Sequence, residues 1–105
     1  MNSYNNPLVP LPIVAEEMQF TLVELCRACR APEAHVIAWV YEGVLDPVGA
    51  APQEWRFTGP SLRRAKLALW LSRDLEINPP GIAMVLDLLD DLVALQARLE
   101  RSGAA

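Results

Sequence analysis

Apolar residues recur along this chain with the period of a helix, in four segments separated by turn-forming residues. Leu22, Leu25, Cys26 and Cys29 return every three or four positions, which puts them on one helical face. Thr21-Leu22-Val23-Glu24 opens that helix as a capping box. The threonine hydroxyl accepts the amide three residues on, and the Glu24 carboxylate reaches back to the threonine amide. Ala31-Pro32 breaks the helix, because proline has no amide to extend it. Pro32 suits the first turn of a second helix, Glu33 to Glu42, with Val36, Trp39 and Val40 as its apolar stripe. Gly43 ends that helix in a left-handed conformation that disfavours a Cβ.

Beyond Gly43 the period shortens. Val44-Leu45-Asp46-Pro47 reads as an outgoing strand, Gly49-Ala50-Ala51-Pro52 as a loop tip, and Glu54 to Phe57 as a returning strand. A period of two sets Trp55 and Phe57 on one face. Thr58-Gly59-Pro60-Ser61 opens a third helix, Pro60 to about Asp74, with Leu62, Ala65, Leu69 and Trp70 facing a core. Asn78-Pro79-Pro80-Gly81 stops the chain and restarts it as a last helix, about Pro80 to Arg101. Two short helices, a hairpin and two longer helices, in that order, make a mostly α winged helix-turn-helix with a small β-hairpin wing. Residues 1–17 form an extended leader rich in asparagine and proline, in which Ile13 and Val14, with Met18 just beyond, are candidates for a docked strand. Residues 18–79 form the winged domain, and 80–105 the C-terminal helix and a short tail.

That last helix is apolar on more than one face. Ile82, Val85 or Leu86, Leu89, Leu92 or Val93, Gln96 and Leu99 approximate a heptad seam, with Met84, Leu88 and Leu95 partly off it. One side serves its own domain and the other meets a second copy of the chain. Val85, Leu89, Leu92 and Leu99 are the expected dimerisation residues.

Charge changes what such a shape is for. The 105 residues include 9 Lys plus Arg and 13 Asp plus Glu, a net charge of −4. A compact nucleic-acid binder carries a basic excess, because phosphate contacts supply most of its affinity. An acidic balance favours a basic protein surface instead. The hydrophobic fraction of 52% is enough for one modest core. No apolar run approaches the ~18 residues that a membrane span needs. Met1 to Pro12 has neither Lys nor Arg, unlike a signal peptide, so a cytoplasmic protein is expected.

Candidate chemistry is sparse. Cys26-Arg27-Ala28-Cys29 is a CxxC inside a helix, whereas redox pairs open one. Zinc needs about four ligands, and His35 is the sole histidine. The reading is therefore of small core residues, with a redox sensor as its rival. His35 has neither nucleophile nor orienting acid beside it in sequence. No phosphate loop or nucleophile elbow occurs, so no catalysis and no cofactor are expected. Arg63, Arg64 and Lys66 make a solvated face or a phosphate contact. Asp74 and Glu76 flank the loop into the last helix, and Asp87, Asp90 and Asp91 share one of its polar sides. These carboxylates are either a solvated face or, with Leu88 as apolar anchor, the docking surface for a basic helix.

Taken together, Phe20 to Leu99 resembles the MerR-type winged helix superfamily and, within it, the CbpM-type chaperone modulators. The resemblance lies in Phe20-Thr21-Leu22-Val23-Glu24-Leu25-Cys26, Gly43-Val44-Leu45-Asp46-Pro47, Trp55-Arg56-Phe57, Arg73 to Asn78 leading to Pro80-Gly81-Ile82, and Leu88-Leu89-Asp90-Asp91-Leu92. MerR-type DNA binders carry arginine and tyrosine where this chain has Ile37 and Trp39, and a wing of arginine, any residue, tyrosine where it has Trp55-Arg56-Phe57. Isoleucine in place of arginine removes the phosphate hydrogen bonds. The resemblance implies a non-catalytic regulator that binds the J-domain of a CbpA/DnaJ-type co-chaperone and inhibits it in competition with DnaK. It implies neither direct nucleic-acid nor membrane binding. The alternatives are a MerR-like DNA-binding transcriptional regulator and a dimerisation module without a J-domain target.

Overall fold

The structure, a computed structural model, describes residues 18–103. The expected leader, 1–17, with Ile13 and Val14, lies outside the described residues. The elements are β1 (Gln19–Phe20), α1 (Leu22–Cys29), α2 (Glu33–Tyr41), β2 (Phe57–Thr58), α3 (Gly59–Asp74) and α4 (Pro79–Arg101). This is the mostly helical winged helix-turn-helix expected of the sequence, with a long C-terminal helix.

Each helix begins where its cap directs. The Thr21 hydroxyl accepts the Glu24 amide at 3.2 Å, and the Glu24 carboxylate accepts the Thr21 amide at 2.8 Å, closing the capping box. Thr58 caps α3 through the Ser61 amide, and Asn78 caps α4 through the Gly81 amide at 2.9 Å. α2 ends as expected at Gly43, with φ +80°. The Gly43 amide bonds the Val40 carbonyl at 3.1 Å, and the Val44 amide bonds the Trp39 carbonyl at 2.8 Å. That pair of bonds satisfies carbonyls that the helix end leaves open.

The wing is smaller than the sequence implied. Val44 and Leu45 do not form a strand: their amides wrap back onto the Trp39 carbonyl and their side chains are buried. The hairpin is closed by one antiparallel bridge, Val48 to Arg56, with a single 3-10 turn at Pro52–Glu54. Pro47, next to that bridge, has no amide to lengthen the ladder, and Pro52 opens the turn at the tip. Gly49 is required at the tip, since a Cβ there would lie 2.6 Å from the Glu54 carbonyl oxygen. β2 instead pairs antiparallel with β1, matching Gln19 to Thr58 and Phe20 to Phe57. Of the residues expected in a docked strand, Ile13 and Val14 lie outside the described residues, and Met18 precedes β1 and is half exposed.

The core lies where α1, α2, α3 and the first half of α4 converge beneath the wing. Leu25, Val36, Trp39, Val44, Phe57, Ala65, Ile82 and Leu86 are all but completely buried. Trp55 and Phe57 share the inner face of the wing, edge to face with centroids 6.0 Å apart, and Tyr41 meets Trp55 at 6.2 Å. Among the described residues no polar side chain is buried, so hydrophobic burial carries the fold.

Candidate protein-binding site

α2 and the wing occupy the place from which a winged helix reads DNA. In α2 the sequence Glu33 to Tyr41 holds no Lys or Arg. Its solvent side offers Glu33, Ala34, His35 and Tyr41, the last 74% exposed. On the wing, Arg56 turns back, its guanidinium donating to the Trp55 carbonyl at 2.9 Å. Phosphate binding by Arg or Lys is therefore unavailable along the helix that would enter the groove.

The expected acidic surface falls into two groups. Asp87 and Asp90 gather around Arg64, which bonds Asp90 at 2.9 Å and Asp87 at 3.5 Å. The Arg64 Nε also donates to the Val44 carbonyl, so one side chain ties α3, the turn after α2 and α4 together. The sequence had offered Arg64 as a phosphate contact or a solvated residue; it is a half-buried strut. Both carboxylates remain mostly exposed and keep acceptor capacity toward solvent. Asp91 is exposed and points to no described partner. Asp74 ends α3, ten residues beyond Arg64, or about 15 Å along the helix.

Glu76 stands at the α3–α4 corner with φ +54°. The Ile77 amide fixes that corner by bonding the Leu71 carbonyl at 3.1 Å. Beside it opens a cleft of about 420 Å³, floored by Ala38, Trp39 and Ile77 and rimmed by His35 and Glu76. The His35 and Trp39 rings stack at a tilt, 6.2 Å apart. Sequence reasoning did not find this cleft, because it joins residues some forty positions apart.

α4 divides along its length. Ile82 and Leu86 are buried, and Val85 and Leu89 are half-buried against the same core. Leu92 and Leu99 are 58% and 54% exposed. Leu88 and Leu95, which the sequence placed partly off the seam, are exposed as well. Residues 88, 92, 95 and 99 follow a four-three-four spacing, so they form one continuous apolar line. Their exposure, not their periodicity, distinguishes them from Val85 and Leu89.

The remaining candidates are quiet. Burial pushes both the Cys26 and Cys29 thiols above their ordinary pKa, which suppresses the reactive thiolate. Glu24 is held below its usual carboxylate range, first by the Thr21 amide and then by the Thr21 hydroxyl. No group of three or more His, Cys, Asp or Glu among the described residues could hold a metal ion. No described helix is long and apolar enough to cross a membrane.

The sequence signature of the MerR HTH family of regulatory proteins matches residues 20–102. A chaperone modulatory protein CbpM of Coxiella burnetii is 39% identical over 87 residues, covering 83% of this chain and 82% of the relative. This chain belongs to the CbpM-type chaperone modulatory proteins. CbpM proteins of Pseudomonas entomophila and Pseudomonas putida match over 80 residues at 30% and 29%, each over 76% of this chain and 79% of the relative. CbpM membership and the MerR-type fold fit together: the scaffold is kept, and its groove-facing helix is without arginine or lysine. The DNA-binding alternative draws on the fold alone, and α2, the helix that would enter the groove, holds no Lys or Arg to support it.

Proposed function

We propose that this protein is a non-catalytic chaperone modulator that binds the J-domain of a CbpA/DnaJ-type co-chaperone and inhibits it by excluding DnaK. The observation that carries this reading is a groove-facing helix without a single Lys or Arg, on a chain 39% identical to a chaperone modulatory protein. An acidic surface steers encounter with a basic helix and orients it. Asp74, Glu76, Asp87, Asp90 and Asp91 supply that charge. Leu88, where the acidic side meets the apolar line, supplies anchor area. The protein works in the cytoplasm, where DnaK-type chaperones and their partners meet.

The same reading makes it a homodimer through α4. Leu92 and Leu99, with Leu95, meet their counterparts, while Val85 and Leu89 flank the contact and pack on their own core.

Asp91 is the cleanest test, because reversing it disturbs no described contact. Asp91→Lys is expected to weaken J-domain binding several-fold at low salt, measured by titration calorimetry, with an unchanged melting temperature. Equal affinity for the variant removes Asp91 from the interface. Failure of the unaltered chain to bind any J-domain removes the reading.

A further inference from the structure

We propose that the cleft between α2 and the α3–α4 corner is an anchor pocket for one cationic side chain, a lysine or an arginine, carried by the protein partner. This inference rests on the J-domain reading above and adds to it the place where a single partner residue seats.

The first argument is chemical fit. Ala38, Trp39, Ile77 and Pro79 make much of the lining apolar, Ser72 and Asn78 add neutral polar groups, and Glu76 is the one formally charged residue among the lining side chains. Long cationic side chains bury in this way, with the methylene stem along apolar surface and the charged tip at an acceptor. No Lys or Arg lines the cleft to compete with an incoming cation. It is open along one side, which suits a residue projecting from a protein surface better than an enclosed small molecule.

The second argument is conformational. Glu76 adopts φ +54°, a left-handed backbone that glycine enters freely and other residues rarely do. At the end of α2 the same task falls to Gly43, with φ +80°. The α3 end thus keeps a carboxylate where the backbone favours glycine. Local strain of this kind at the rim of a cleft marks a side chain retained for what it binds. Arg30, at the end of α1, is the other left-handed residue that is not glycine among those described, and it does not line this cleft, which makes it a built-in control.

The experiment compares the full chain with its Glu76→Gly and Arg30→Gly variants. Each is melted alone, sedimented alone, and titrated against the isolated J-domain of the CbpA-type co-chaperone. Both variants are expected to melt roughly 3–8 °C higher, because glycine relieves the left-handed residue. Glu76→Gly is expected to lose about tenfold in affinity, the size of a charge-assisted hydrogen bond, while Arg30→Gly keeps it. One Lys→Met or Arg→Met replacement in the J-domain is expected to lose the same factor against the unaltered chain and nothing further against Glu76→Gly. Unchanged affinity of Glu76→Gly overturns the pocket and leaves the J-domain reading standing. A changed sedimentation of free Glu76→Gly also overturns it, by showing a second copy of the chain in the cleft. No binding by the unaltered chain overturns the reading and the pocket together.

Discussion

The two halves of α4 both carry apolar residues at helical spacing, in opposite surroundings. From Pro79 to Leu89 the helix lies on its domain, with Ile82 and Leu86 buried and Val85 and Leu89 partly so. From Asp90 to Arg101 it runs on with Leu92, Val93, Leu95 and Leu99 all more than half exposed. What differs is whether α2 and α3 lie alongside to cover the apolar face. An apolar stripe is thus a demand for cover, and it does not say whether the same chain or another supplies it. In the proposed dimer, the distal half is the part of the molecule whose energetics depend on a partner.

The sharpest way to break this contrast is a matched pair of truncations. Leu86→Ala removes a side chain that is 1% exposed and is expected to cost about 2–5 kcal/mol of stability. Leu92→Ala, studied at a concentration where the chain is monomeric, is expected to change stability by less than about 0.5 kcal/mol. Urea unfolding measures both, and equal effects would mean that the distal half is covered within its own domain.

Next in size is association. Leu92→Asp combined with Leu99→Asp buries two carboxylates in any helix pair formed along that line. The double variant is expected to sediment as a monomer with its fold intact. A variant that remains dimeric would place the contact elsewhere.

A smaller effect tests what joins the halves. Arg64 bonds the Val44 carbonyl, Asp87 and Asp90 from one side chain. Arg64→Met keeps the stem and removes all three bonds. Its expected loss is about 1–2 kcal/mol, because the Val44 carbonyl loses its donor in a buried turn while the exposed ion pairs add little. A fully neutral substitution would make Arg64 a surface charge only.

The smallest effect is a pH dependence far from α4. The carboxyl of Glu24 has its pKa lowered in the folded state by the capping box. Its stabilisation is present in full above the ordinary glutamate value and fades as pH falls through the lowered one. Thermal melts of Glu24→Gln are expected to lose that part of the acid dependence. An identical acid profile would assign it to other carboxylates.

Much of the fold was legible because its signals are local. The Thr21 box, the Pro32 break, the Gly43 stop and the Asn78-to-Gly81 restart each act within four residues, and each stands where the sequence put it. The strand pairing was not legible, since β1 and β2 are short and separated by both helices of the helix-turn-helix. Trp55 and Phe57 were read correctly as sharing a face; the extent of the hairpin around them was overdrawn. The acids proposed from the sequence as a docking surface, Asp74, Glu76, Asp87, Asp90 and Asp91, are exposed in the structure. Composition missed the pairing of Arg64 with Asp87 and Asp90, a contact across more than twenty positions. It also missed the left-handed Glu76, because propensity alone assigns that conformation to glycine or asparagine.

The central claim is that a scaffold shaped to meet DNA here meets a co-chaperone. Titration calorimetry of the chain against the J-domain of its CbpA-type co-chaperone, with duplex DNA in a parallel cell at the same low ionic strength, tests it most directly. Saturable, salt-sensitive binding to the J-domain with no heat from DNA is the predicted result. Saturable binding to the duplex, with none to the J-domain, would contradict the account.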